Sequence, residues 1–109
     1  MSRRVRKFAA EVRAETARID AIAPRMFAAS AIANEAERHA ALDRFASDLE
    51  SIAATGKRFA ATIARLSTTI DAATVNEMQA AGDDYMTAAT RLFAVAATLR
   101  GSPAIRGTH

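Results

Sequence analysis

The stretch that decides the fold is residues 74–99, TVNEMQAAGDDYMTAATRLFAVAATL. Apolar and small residues recur in it at alternating spacings of three and four, which predicts one stripe along an α-helix. The stripe carries no acid, base or thiol, and its glycine and alanines would let a facing helix approach closely. We predict that it is a packing seam and a partner interface. The seam consists of Val75, Met78, Gly82, Tyr85, Ala89, Leu92, Ala96 and Leu99.

The composition favours a single all-helical domain. Hydrophobic residues make up 50% of the 109 residues, alanine dominates them, and there are only four glycines and two prolines. Alanine is the best helix former, but an alanine core buries little apolar surface per residue, so it needs long contacts or a second chain. We predict one helical domain over residues 1–100 and a flexible tail over 101–109, because Gly101-Ser102-Pro103 opposes helix.

A second apolar stripe predicts an amphipathic helix that begins near residue 3. Pro24 interrupts this stripe. Because proline lacks an N–H and clashes with the preceding turn, we predict a kink there. The stripe is formed by Val5, Phe8, Val12, Ile19 and Ile22.

The position of the central turn has two candidates. Ser47 and Glu50 have the spacing of a capping box, which places a turn near residues 44–47. Alternatively, Gly56 could close a helix in the left-handed conformation. The sequence leaves both open.

The second half of the chain favours one continuous helix. Thr74 and Glu77 could cap a separate last helix, but no glycine or proline lies between residues 57 and 81, and the stripe continues as a stutter would. Two architectures follow. One is a long antiparallel helical hairpin that pairs into a four-helix bundle, and the other is a single-chain up-down four-helix bundle.

Charge is nearly balanced along most of the chain, with 15 Lys and Arg against 12 Asp and Glu. Two ends lack this balance: the start of the chain, and a tail with Arg100 and Arg106. The start is a candidate contact to nucleic acid or another anionic surface, although a solubilising terminus is the simpler interpretation. No export signal or membrane-spanning run is visible. The basic residues at the start are Arg3, Arg4, Arg6 and Lys7.

The sequence offers little for catalysis. Zero cysteines exclude thiol chemistry and thiolate metal sites. His39, with Glu35 on the same helical face, lacks the repeated Glu-x-x-His of bundle metal sites and the usual phosphotransfer pattern. His109 is the last residue. We therefore expect no enzyme, cofactor or metal. The methionines Met26, Met78 and Met86 are expected in the core.

Residues 47–99 resemble the second arm of the WXG-family helical hairpins that type VII secretion exports. The similarity is carried by Arg58-Phe59-Ala60-Ala61 through Thr69, by Asp71 and Ala72-Ala73, by Ala80-Ala81-Gly82 and by Tyr85. It implies a hairpin without cysteines or signal peptide that pairs into a four-helix bundle. The chain lacks a Trp-x-Gly, and Ala89 stands where the family's export acid follows its tyrosine.

The leading functional hypothesis is a non-catalytic helical protein that homo- or heterodimerises, as a WXG-like protein of type VII secretion would. Its location would be cytoplasmic, or outside the cell by a leaderless route. The alternative is a cytoplasmic helical adaptor or regulator whose basic N-terminal arm contacts nucleic acid or another anionic partner.

Overall fold

The computed structural model describes residues 3–107, with side chains as far as Leu99. This part of the chain is all-α and contains no β-strand, which confirms the predicted all-α class but neither of the two predicted helix arrangements. None of its helices has an apolar segment long enough to cross a bilayer. The helices are α1 (Arg3–Ser30), α2 (Glu35–Asp43), α3 (Phe45–Leu66) and α4 (Ala72–Gly107).

Helices α2 and α3 form one bent rod. Arg44 separates them, but it keeps right-handed helical backbone angles, with φ −60° and ψ −25°. Its N–H donates to the Ala40 carbonyl at 3.3 Å, as in a continuing helix. The described chain is therefore three helical rods, and the predicted turn near residues 44–47 is only a bend. The other predicted turn is wrong, since Gly56 lies inside α3 and no glycine among the described residues has a positive φ.

The first reversal of the chain occurs at residues 31–34. The Asn34 side chain accepts a hydrogen bond from the Glu37 N–H at 2.9 Å and so caps α2. The Arg38 guanidinium donates to the Ile32 carbonyl at 3.1 Å, which closes the loop on the helix that follows it. Before this reversal, α1 continues through Pro24 to Ser30 as one helix.

The second reversal corrects the predicted continuous helix over 57–99. The hydroxyls of Ser67, Thr68 and Thr69 donate to carbonyls of the last turn of α3, at 2.8, 2.9 and 3.0 Å. Asp71 then accepts from the Thr74 N–H at 2.8 Å and from the Thr74 hydroxyl at 2.9 Å. Hydroxyl and carboxylate side chains that bond the local backbone compete with helix and favour its ends. The last helix begins at this aspartate cap.

The three rods run up, down and up. Gly56 lies beside Tyr85 and Met86, while Ile63 lies beside Gly82, so α3 and α4 are antiparallel. Helix α1 is antiparallel to α3 as well, because Glu11 contacts Arg58 and Arg25 lies over the Phe45 ring. It follows that α1 and α4 are parallel, and their contact is the most extensive in the molecule. The result is an elongated body of 55 × 23 × 17 Å.

One aromatic side chain from each rod meets at the centre of the core. Phe8 of α1 packs edge-on against Phe59 of α3, with ring centroids 5.6 Å apart. Phe59 packs in the same way against Tyr85 of α4, at 5.1 Å. Edge-to-face pairs of this kind stabilise beyond the area they bury. This cluster fixes the register of the three rods in an otherwise alanine-rich core.

The predicted tail falls at the limit of the described residues. The backbone of α4 is helical through Gly101-Ser102-Pro103 and as far as Gly107. Side chains of residues 100–107 are outside the description, as are residues 108–109, which include His109.

Candidate interaction surface

The predicted seam lies in the chain's own core. Met78, Tyr85, Ala89, Leu92 and Ala96 are buried, and the other three seam residues are half-buried. The neighbours that cover them are α1 and α3 of the same chain. A partner therefore needs another surface, and the three grooves between the rods are the places to look for it.

The groove between α1 and α4 is bordered by charges of opposite sign. Arg6, Arg13 and Glu77 line it beside the buried Val5 and Met78. One heptad further along the two parallel helices, Arg13 follows Arg6 on α1 and Asp84 follows Glu77 on α4. A second heptad brings Asp20 on α1 level with Arg91 on α4. Charges of opposite sign thus follow both sides of this groove, which encloses about 470 Å³.

The groove between α1 and α3 is also bordered by charged side chains. The Arg58 guanidinium lies 3.1 Å from the Glu11 carboxylate, and its carbon also lies 5.2 Å from the centre of the Phe59 ring. At the other end, Arg25 covers the Phe45 ring at 5.6 Å. Long cationic side chains placed over aromatic rings shield this apolar surface from water.

The groove between α3 and α4 is different, because small and apolar side chains form most of it. It encloses about 270 Å³. Gly82 and Gly56 allow its walls to approach: a Cβ at Gly82 would lie 2.9 Å from Ile63 Cδ1, and a Cβ at Gly56 would lie 3.3 Å from Met86 Sδ. The lining also includes Phe59, Ala60, Ala64, Ser67, Gln79, Asp83 and Tyr85.

An exposed methionine stands on the edge of this groove. Met86 is 50% exposed, and among the described large hydrophobic residues only Phe27, at 54%, is comparably exposed. The expected core position of Met86 is therefore wrong, whereas Met26 and Met78 are buried as expected. Phe27 belongs to α1 and lies away from the groove.

We use the name α3/α4 face for the outer surface of these two helices. On α3 it comprises Ala53, Gly56, Ala60 and Ala64, and on α4 it comprises Gln79, Gly82, Asp83, Met86 and Thr90. Three exposed charges belong to it or border it: Glu50 and Lys57 on α3, and Asp83 on α4. The sequence signal for the α3 half was present in the small residues at positions 53, 56, 60 and 64, which recur at spacings of three and four.

The basic cluster predicted at the start of the chain is at the beginning of α1. Arg3, Arg4 and Lys7 are exposed and surround a shallow concavity, and Arg6 is exposed beside the α1/α4 groove. Helix α1 carries seven Arg or Lys and three acids, whereas the rest of the chain carries eight and nine. The positive charge of the protein is therefore concentrated on one rod.

Two further candidates from the sequence have different surroundings. His39 is exposed on α2, and the described residues include no group of three His, Asp or Glu side chains placed to hold a metal ion. Tyr85 is buried, and its hydroxyl donates to the Ile52 carbonyl at 2.9 Å. Burial raises the pKa of Tyr85, and the negative charge of Glu15 adds to this shift. Tyr85 is a packing residue of the core.

No protein-family model, curated protein or solved structure matches this chain.

Proposed function

We propose that this chain is a non-catalytic interaction protein that homo- or heterodimerises through its α3/α4 face. The observation that carries the proposal is the lining of the α3/α4 groove. Small side chains form most of it, and they lie beside the half-exposed Met86. Exposed apolar surface next to a groove marks an interaction site more often than scattered single residues do.

The physical argument is that a helical partner would complete the packing of α3 and α4. Apolar burial contributes about 25 cal/mol per Å², so a thin alanine surface gains affinity only along a long contact. A partner that presents two helices would form a four-helix arrangement with α3 and α4. This is the pairing that the sequence predicts for the seam, transferred to the neighbouring surface of the same helix.

The resemblance of residues 47–99 to WXG-family hairpins supports export by type VII secretion as the setting for this pairing. The export part of the proposal is tested separately. The chain should accumulate in the culture medium of the source organism and stay in the cells when the secretion ATPase is deleted. Retention in both strains would remove export from the proposal and leave the pairing untouched.

The pairing itself is tested by a matched pair of substitutions. Met86→Glu places a charge on the α3/α4 face, and Phe27→Glu places the same charge on an equally exposed residue of α1. Sedimentation of the chain alone tests for a homodimer, and copurification with a small helical protein encoded beside it tests for a heterodimer. The association detected by either assay should be lost with Met86→Glu and kept with Phe27→Glu. Equal behaviour of the two variants in both assays would overturn the proposal.

A second function is favoured by one observation, the concentration of positive charge on α1. We infer that the exposed Arg3, Arg4 and Lys7 are suited to the phosphates of a nucleic acid. Binding to duplex DNA or RNA should weaken steeply with salt, and the triple alanine variant should reduce the slope of log K against log salt by roughly two to three. Binding that ignores salt or survives the triple substitution would exclude this role.

A further inference from the structure

We propose that the outer surface of α1 and α3 binds the phosphate backbone of duplex DNA. This role rests on the second proposed function, because it extends the same contact from the start of α1 along both rods. Three features of the surface support it: the order of its arginines, its excess of positive charge and its length.

Arginines recur along both rods at steps of seven residues. Seven residues are about two helical turns, or ~10.5 Å, so each row stays near one side of its helix. Six of the eight row positions are arginine, and all eight are exposed. We use the name α1/α3 face for the surface that the two rows form. The α1 row is Arg4, Glu11, Arg18 and Arg25, and the second row is Arg44, which connects α2 to α3, followed by Ser51, Arg58 and Arg65.

The two rows face each other in register. Glu11 is level with Arg58, because their side chains lie 3.1 Å apart. Arg25 is level with the start of α3, because it lies over the Phe45 ring. In antiparallel helices, equal steps in opposite directions along the chain keep this register. The four level pairs are therefore Arg4 with Arg65, Glu11 with Arg58, Arg18 with Ser51, and Arg25 with Arg44.

The α1/α3 face carries more positive charge than the whole protein. With its neighbours Lys7, Glu15 and Asp48, the face has seven basic and three acidic residues, a net charge of +4, whereas the whole chain has +3. The remaining residues contribute eight basic and nine acidic side chains. Glu11 and Glu15 are each paired with an arginine in the middle of the face. The positive charge left over therefore lies at its two ends.

The arginines at the two ends are available to an anion. Within the described part of the chain, Arg4, Arg44 and Arg65 form no ion pair. Arg25 has an aromatic ring, Phe45, as its neighbour instead of a carboxylate. A guanidinium presents several N–H donors in one plane, which suits the oxygens of a phosphate.

The length of the face matches one turn of B-form DNA. The two end pairs are three steps of seven residues apart, which is ~32 Å along the rods. One turn of the duplex is about 34–36 Å long. A duplex that lies along the rods therefore returns the same strand to the face at both end pairs. Contacts to phosphates carry no sequence information, so we expect binding without sequence preference.

The side chains of the face favour a duplex over a single strand or a membrane. Proteins bind single strands by stacking bases on exposed aromatic rings, and peripheral helices insert apolar side chains into a bilayer. The rings of Phe45 and Phe59 are buried beneath arginines. The exposed large hydrophobic residues of the described chain lie elsewhere: Met86 is on α4, and Phe27, two positions past Arg25, is on another side of α1.

The first test removes one arginine from each end pair. Arg44→Gln with Arg65→Gln should reduce the slope of log K against log salt by roughly two, because two phosphate contacts are lost. Lys57→Gln with Arg91→Gln removes the same charge from exposed residues outside the face and should leave the slope nearly unchanged. Fluorescence anisotropy of a labelled duplex of about 16 base pairs, ~54 Å long, measures both. An equal effect of the two double variants would overturn the face as the contact.

The second test locates the duplex on the molecule. The chain has no cysteine, so a single cysteine can carry a dye at one chosen position. A dye on Ser51→Cys, in the middle of the face, should change its fluorescence when the duplex binds. A dye on Thr87→Cys, which is exposed on α4, should not. A response at position 87 without one at position 51 would overturn the placement.

Two other polyanions test the class of the partner. An RNA duplex of the same sequence has A-form geometry and should bind more weakly than the DNA duplex. Equal or stronger binding of the RNA would overturn the match to B-form DNA. Vesicles that contain phosphatidylserine should bind more weakly than DNA at about 0.15 M salt. Vesicle binding that depends on Arg44 and Arg65, without binding of DNA, would overturn nucleic acid as the partner.

The outcomes are different for the face and for the second proposed function. A salt slope that falls with the triple alanine variant of Arg3, Arg4 and Lys7, but not with Arg44→Gln and Arg65→Gln, overturns the face and keeps the contact at the start of α1. A wild-type chain that does not bind the duplex at low salt overturns both. Circular dichroism of every variant checks that the fold is retained.

Discussion

Tyr85 is the residue on which the three rods converge. Its ring packs against Phe59, which in turn packs against Phe8, and its hydroxyl reaches the Ile52 carbonyl of α3. Removing only that hydroxyl tests the hydrogen bond without disturbing the ring packing. Tyr85→Phe should lower the free energy of unfolding by about 0.5–1.5 kcal/mol, as measured by urea denaturation at neutral pH.

The same hydroxyl gives the protein a defined sensitivity to alkali. Burial raises the pKa of Tyr85 above its ordinary value of 10.0, so the folded state holds the proton more tightly than the unfolded state does. The contribution of Tyr85 is therefore complete below pH 10 and is lost as pH rises toward the raised pKa. Tyr85→Phe should flatten the decline of stability above pH 10. An equally steep decline in the variant would assign the effect to other groups.

Asp71 should give a pH dependence of the opposite sense. Hydrogen bonds from the Thr74 backbone N–H and then from its hydroxyl lower the pKa of Asp71 below its ordinary value of 3.8. Its contribution is present above pH 3.8 and is lost as pH falls through the lowered pKa. Asp71→Ala should lower the melting temperature at neutral pH and weaken the loss of stability in acid. Asp71→Asn, which keeps the capping oxygen without the titration, is the control.

The sequence predicts which residues are buried better than it predicts which helix, or which chain, covers them. Met78, Tyr85 and Leu92 are buried, as their spacing indicates, because helical periodicity identifies the face that packs. Periodicity does not say which chain supplies the neighbour, so a seam filled by α1 had the same signature as a seam open to a partner. Met86 lies on the edge of that stripe, where residue type alone could not separate a core methionine from an exposed one.

At the level of elements, the register of α1 against α4 makes its own prediction. Arg13 borders the groove that also contains Glu77, and Asp84 follows one heptad later on the same side of α4. Arg13→Glu should lower the free energy of unfolding by up to about 1 kcal/mol at low salt. Combining it with Asp84→Arg should recover that loss. Ala14→Glu, on the outer side of α1, should cost less than either single reversal, measured by denaturation at two salt concentrations.

The ends of the elements were only partly predictable. Gly56 has the residue type of a helix end, but its role is to let α4 approach, and close packing of helices cannot be distinguished from termination in a single sequence. The sequence signals for the break between α3 and α4 are the hydroxyl residues Ser67, Thr68 and Thr69 and the capping residue Asp71. Each of these signals is weak alone, and only their coincidence ends the helix.

For the whole molecule, the most direct prediction concerns the removal of α1. Helix α1 covers most of the seam, so a chain that begins at residue 31 exposes Met78, Tyr85 and Leu92. In the Met86→Glu background, where the α3/α4 face is blocked, this truncated chain should associate strongly in light scattering. Adding the α1 peptide should reverse the association. A truncated chain that stays monomeric and helical would contradict the role given to α1.

The odd number of rods gives the molecule two distinguishable poles. In a hairpin the chain begins and ends at the same pole. In the up-down-up arrangement, the start of α1 and the end of α4 lie at opposite poles of a body 55 Å long. Cargo fused before α1 and after α4 would thus be kept apart by roughly one molecular length.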